Sequence, residues 1–99
     1  MIEELKTFIS VVEFNNFTKA AKHLNLSQPS VSNHIKSLER YFNTKLIDRS
    51  IKQKKIFLTE NGEILYKRAK EIVTLLNITM NELHNDTEKE QMITDGERI

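Results

Sequence analysis

Apolar residues recur at helical spacing along most of this chain. Ile2, Leu5, Phe8, Ile9 and Val12 form one stripe. That spacing predicts an amphipathic helix over residues 2–14 with a single buried face. Asn15-Asn16 is expected to end it, because asparagine tolerates the left-handed conformation that closes helices. Phe17 is expected to turn inward. A short second helix follows, with Thr18 as its expected cap and Ala20 and Ala21 where two helices approach closely. Asn25-Leu26-Ser27 reads as a tight turn. Ser27 is placed to cap a third helix by accepting the amide of Ser30, and Pro29 lies in the first turn, where its missing N–H costs nothing. The third stripe is Val31, Ile35, Leu38 and Phe42. At about 100° per residue the opposite face carries Pro29, Asn33, Lys36 and Arg40, with Gln28, Ser32 and Glu39 on one flank. Residues 18–37 therefore read as a helix-turn-helix.

Beyond a turn at Asn43-Thr44 the period changes. Lys45–Arg49 and Lys55–Leu58 read as two short strands around the basic loop Ser50–Lys54. Two readings stay open for this hairpin. One is a wing reaching a minor groove or flanking phosphates. The other is a solvated hairpin whose lysines discourage edge pairing. Thr59 is expected to cap the last helix, although Gly62 stands where a capping box would have Glu. In that helix Leu65, Ala69, Ile72, Leu76, Thr79 and Leu83 are spaced 4-3-4-3-4, a heptad seam. Ile64, Val73 and Met80, with Leu75 and Ile78, make it apolar on more than one side. A helix of roughly 26 residues, about 39 Å long, cannot bury all of this against so small a domain. It calls for a partner helix, most simply its own copy. The alternative is packing wholly against its own domain. The pattern fails after Asn85-Asp86.

The expected fold class is mainly α: a winged helix-turn-helix, three helices plus a two-stranded wing, then a long dimerisation or linker helix. The domain boundaries are residues 1–59 for the winged part, 60–86 for the linker helix and 87–99 for a flexible tail.

Charge changes this picture more than composition does. The formal net charge is +1. Residues 1–58 hold ten Lys/Arg against five Asp/Glu, whereas residues 59–99 hold five against nine. A basic first part and an acidic second part suggest a polyanion partner for the first; chance asymmetry is the competing account. The chain has no cysteine, which excludes disulfides and thiolate metal sites. The opening residues are acidic and amphipathic, unlike a signal peptide, and no apolar run reaches membrane-spanning length. The three histidines, at 23, 34 and 84, lack ligand spacing. No nucleophile, base and orienter are grouped, and no Gly-rich phosphate loop occurs. The expectation is therefore no enzyme, no metal and no cofactor.

The candidate chemistry lies on the third helix. Gln28, Ser32 and Asn33 carry amide and hydroxyl groups suited to base edges, and Asn pairs well with adenine. Pro29 and Ser30 are placed for phosphate proximity and thymine-methyl contact, and Ser27, the expected cap, is counted with the DNA-binding candidates. Thr18 and Lys19 are candidates for a phosphate at the second helix. Lys36, Arg49, Lys52 and Lys54 are further phosphate candidates, with Lys52 or Lys54 as minor-groove probes. Arg49 has a second reading, as an ion-pair partner of Glu39. The competing function is a winged-helix protein-interaction module assembled through the long helix. A docking face would carry aromatic or leucine anchors, and this one does not.

Residues 5–65 resemble the N-terminal domain of LysR-type transcriptional regulators. The resemblance rests on Leu5 and Phe8, Phe17-Thr18-x-Ala20-Ala21-x-x-Leu24, and Leu26-Ser27-Gln28-Pro29-Ser30-Val31-Ser32. It continues through Ile35-x-x-Leu38-Glu39, Leu46-Ile47-x-Arg49 and Leu58-Thr59-x-x-Gly62. It implies sequence-specific binding of double-stranded DNA at a pseudo-palindromic site by a bacterial cytoplasmic regulator. It also implies a homodimer through the linker helix (Leu65, Ala69, Ile72, Leu76, Thr79, Leu83) and tetramers through a C-terminal effector domain that this sequence lacks. Some positions depart from the common pattern. Asn16 precedes the Phe where Gly-Ser pairs are usual, Asn43 replaces Gly, Ile47 replaces Phe, and Asn33-His34 stand where Arg and Gln are common.

Overall fold

Three asparagines in the left-handed region punctuate the first half of the chain. Asn15, Asn25 and Asn43 have φ of 54°, 59° and 53°, and each closes a helix. The helices are α1 (Ile2–Phe14), α2 (Phe17–Leu24), α3 (Gln28–Phe42) and α4 (Glu60–Ile93). The computed structural model describes residues 1–51 and 55–93, with side chains of α4 as far as Asn85. Asparagine serves at these ends because its short polar side chain lowers the usual penalty for positive φ.

The N-caps follow the expected chemistry with one exception. Ser27 Oγ accepts the Ser30 amide at 3.2 Å, and Thr59 Oγ1 accepts the Gly62 amide at 2.9 Å. At α2 the cap is Asn16, not Thr18: Asn16 Oδ1 accepts the Lys19 amide at 2.8 Å. The helix begins two residues earlier than expected, at Phe17, so Thr18 lies inside its first turn with its side chain exposed.

α1 is the hub, packing against α2, α3 and α4. Leu5, Phe8 and Val11 of α1 meet Ala20 and Ala21 of α2, Val31, Ile35 and Leu38 of α3, Leu46 and Ile47, and Ala69 of α4. Phe17 packs against this core as expected. Phe42 does not join it and is 42% exposed. It is the last residue of α3, where the chain turns away at Asn43, so the core ends at Leu38. Phe42 instead stacks edge-on against Tyr41.

Among the described residues, the expected two-stranded wing is reduced to one antiparallel bridge, Ile47 with Leu58. The Asp48 amide donates to Phe57 O at 2.7 Å and the Thr59 amide to Leu46 O at 3.0 Å. Side chains take donors that would extend the ladder. The Ile56 amide donates to Asn15 Oδ1 at 2.7 Å, and those of Leu46 and Ile47 donate to Glu39 Oε2. Propensity marked the segments as strands, but tertiary partners satisfy them.

α4 runs past residue 86, where the apolar pattern stops, to Ile93. Residues 88–91 are good helix formers without a breaker, so the helix outlasts the apolar pattern, and residues 94–99 of the expected tail lie outside the described residues. The helix is about 51 Å long at 1.5 Å per residue and lies in a molecule 63 × 26 × 19 Å in extent. Its first turns belong to the core. Gly62 is buried, and a Cβ there would lie 2.0 Å from Leu46 O. Only a glycine lets the helix start so close to that carbonyl.

Candidate nucleic-acid interface

Ser27 sets where α3 begins, and the Val31, Ile35, Leu38 stripe sets its rotation. With that stripe buried, the opposite face is fixed outward. Gln28, Pro29, Asn33, Lys36 and Arg40 are exposed, and Ser30 and Ser32 are half-buried at its edges. The Ser27 hydroxyl also donates to Ser30 Oγ at 2.9 Å, so Ser27 is occupied by the cap. Toward the N-terminal end of this face stand two amides, a proline ring and, at its edges, two half-buried hydroxyl groups, followed by two cations. Thr18 and Lys19 are exposed at the start of α2. Lys52 and Lys54 lie outside the described residues.

Arg49 and Glu39 form a structural unit. Glu39 is buried, with 7% of its surface exposed. Its carboxylate accepts the Leu46 amide at 2.9 Å and the Ile47 amide at 3.4 Å, and the Arg49 guanidinium at 3.2 Å. Burial pushes its pKa up. The Leu46 amide, the Arg49 guanidinium and the Ile47 amide outweigh that and hold it below the usual carboxylate range. Glu39 therefore stays ionised and ties α3 to the chain entering the wing. The sequence raised only its pairing with Arg49, and the two backbone donors had no sequence signal.

His34 sits on the other flank. Its Nδ1 is 2.8 Å from Thr7 Oγ1, and Thr7 is buried. The departure at His34 is thus a contact between α1 and α3. Asn33, exposed, remains on the outer face.

The long helix divides the expected seam. Ala69 is fully buried in the chain's own core, and Leu65 and Val73 pack on it. Ala69 is therefore no part of an intersubunit surface, and Leu65 is largely used within the domain. The reason is geometric: the first turns of α4 lie across α1. Farther along, Ile72 is 43%, Leu75 63%, Ile78 46%, Met80 46% and Leu83 59% exposed. Leu76 is half-buried and Thr79 exposed, its hydroxyl donating to Leu75 O.

Among the described residues, no group of three or more His, Asp or Glu side chains could hold a metal ion. Nor is any helix among them long and apolar enough to cross a membrane.

Residues 2–63 match the family described as bacterial regulatory helix-turn-helix protein, lysR family. The chain is 54% identical over 80 residues to the HTH-type transcriptional regulator CysL of Bacillus subtilis, covering 81% of this chain and 26% of that protein. It is 34% identical over 89 residues to the malolactic fermentation system transcriptional activator of Lactococcus lactis, covering 90% and 31%. This chain thus spans less than a third of these relatives. Among solved structures, the BenM DNA-binding domain with benA site 1 DNA superposes with a TM-score of 0.79 at 27% identity, covering 86% of this chain and 96% of that one. The CbnR DNA-binding domain in its DNA complex gives 0.81 at 29%, covering 88% and 98%. The match spans α1 to α3, the bridged segment and the first turn of α4; this chain belongs to the LysR family of bacterial regulatory helix-turn-helix proteins.

Proposed function

We propose that this chain is the sequence-specific, double-stranded-DNA-binding domain of a LysR-type transcriptional regulator, acting as a homodimer. The observation that carries the reading is the outer face of α3, where polar and cationic side chains stand exposed opposite the buried stripe. Gln28, Ser32 and Asn33 read base edges. Thr18, Lys19, Ser30 and Lys36 contact phosphates, and Pro29 meets a thymine methyl. Ser27 acts by fixing the helix start. The wing lysines, Lys52 and Lys54, extend the footprint. Relatives solved with DNA support this use of the fold.

The dimer reading rests on α4. Its apolar side chains Ile72, Leu75, Ile78 and Met80 stand exposed, and a second copy of the same helix covers them. Two copies would place two α3 helices in successive major grooves, about 34 Å apart. The regulator's remaining part would carry effector binding and tetramer formation in a bacterial cytoplasm. The domain has no role as an enzyme.

A docking module would put its anchors on the outer face of α3. The exposed aromatic pair Tyr41 and Phe42 lies at the end of α3, off that face. Gln28→Ala and Ser32→Ala test the reading. Each is expected to lower discrimination between specific and random DNA by about 1–3 kcal/mol, while melting temperature and oligomeric state stay unchanged. Footprints identical to wild type would refute the base-reading assignment.

A further inference from the structure

The outer face of α3 does not end at Lys36. It continues through Arg40 into an open cleft of about 580 Å³ at the C-terminal end of the helix. Four cationic side chains line it, Lys36, Arg40, Lys45 and Arg49, together with Glu39 and Asn43. Glu39 is the only carboxylate in the lining, and it is already committed to two backbone amides and Arg49. Both bonds from Arg49 to Glu39 run from Nη1, so Nη2 and Nε are not spent on it. Arg49 is 44% exposed in its side chain, and Lys36, Arg40 and Lys45 are exposed. The helix end adds little opposing charge, because the carbonyls of Glu39 and Arg40 already accept the Thr44 and Asn43 amides.

Dimensions decide what this cleft meets. From Gln28 to Arg40 the outer face of α3 runs about 18 Å at 1.5 Å per residue. The major groove is only about 12 Å wide. With the N-terminal end of α3 at the base edges, its C-terminal end must come out over the groove wall, which is a line of phosphates. We infer that the Lys36–Arg40–Lys45–Arg49 cleft is a clamp for the DNA backbone flanking the bases read by α3, with Arg40 and Lys45 as contacts beyond the phosphate candidates named from the sequence. This rests on the DNA-reading function proposed above. Because phosphates carry no base identity, the clamp adds affinity and register without specificity.

Arg40→Ala, Lys45→Ala and the double variant test it, in DNA-binding titrations of the 99-residue chain across salt. Each single variant is expected to bind matched and random DNA weaker by the same factor. Each should also reduce the slope of log affinity against log salt by about 0.9. Between about 50 and about 200 mM salt, that is about 3.5-fold less affinity lost per contact removed. Both side chains are exposed, so thermal melts should match wild type. A scan of DNA carrying one neutral methylphosphonate at a time should find a flanking position that weakens wild type and leaves the double variant unaffected.

If wild type binds and discriminates DNA but the slopes are unchanged, or no position couples to the variants, the clamp is refuted and the DNA-reading function stands. If inorganic phosphate alone saturates the cleft, lost in the double variant, while DNA slopes stay the same, the cleft serves a free anion and the clamp is again refuted. If wild type shows no preference for any DNA, both fail together.

Discussion

Glu39 is the side chain whose loss should be felt most widely, because it joins α3 to the chain entering the wing. In Glu39→Ala the Leu46 amide, now bonded at 2.9 Å in a buried setting, loses its acceptor. An unsatisfied buried donor costs about 1–3 kcal/mol. The Ile47 amide at 3.4 Å adds less. The Arg49 pair adds about 0.5–1 kcal/mol, since Arg49 is 44% exposed and solvent screens it. The sum is about 3 kcal/mol, a large part of the roughly 5–15 kcal/mol that holds a domain folded. At about 4–8 °C per kcal/mol for a domain of this size, the melting temperature should fall by about 12–24 °C. Glu39→Gln keeps an acceptor for Leu46 and loses only the charge, so it should cost about 1 kcal/mol.

The pH dependence has a definite sign. The folded pKa of Glu39 is lowered, so its contribution is present above the unfolded value of about 4.3. It is lost as pH falls through the folded value. The gap in melting temperature between wild type and Glu39→Gln should therefore narrow below about pH 4. Thermal melts by circular dichroism across pH measure both effects. A Glu39→Ala melt within about 3 °C of wild type, set against the scale above, would refute the reasoning, as would a gap that widens in acid.

Other consequences are local. Asn15→Gly keeps the left-handed cap but drops the bond to the Ile56 amide, and should cost about 1 kcal/mol in urea unfolding. Asn15→Ala should cost a further 1–2 kcal/mol or so, because alanine is strained at φ 54°. Gly62→Ala pushes a methyl to 2.0 Å from Leu46 O and should lower stability by about 1–3 kcal/mol, with α4 displaced from the core. Leu76→Asp should shift sedimentation from dimer toward monomer while the residues 1–59 remain folded; an unchanged profile would remove the proposed interface.

Much of this was legible because it depends on spacing. The apolar stripes placed α1, α3 and α4, and the left-handed asparagines announced three helix ends. The capping serine of α3 was readable from its neighbours, since a local hydrogen bond needs only local sequence. Where two nearby residues could both cap, as at Asn16 and Thr18, residue type favoured the wrong one. The heptad in α4 was real as a pattern, but its first members, Leu65 and Ala69, pack within the domain. Apolar periodicity reports burial and not against what, so Ala69 went to the domain's own core. The wing differed likewise: among the described residues the two expected strands come down to one bridge, because Asn15 and Glu39, distant in sequence, take amides a longer ladder would need. The approach of Gly62 to Leu46, the bond of His34 with Thr7, and the joining of Lys45 and Arg49 to the basic face of α3 depend on contacts between elements and had no local signal.

The central claim is that the exposed face of α3 reads DNA sequence. Selection of bound duplexes from random DNA by wild type, Gln28→Ala and Ser32→Ala, with binding followed across salt, tests it most directly. The account predicts a pseudo-palindromic motif enriched by wild type, weakened in both variants, and affinity that falls steeply as salt rises. Random recovery by wild type, or the same motif at the same strength in both variants, would contradict it.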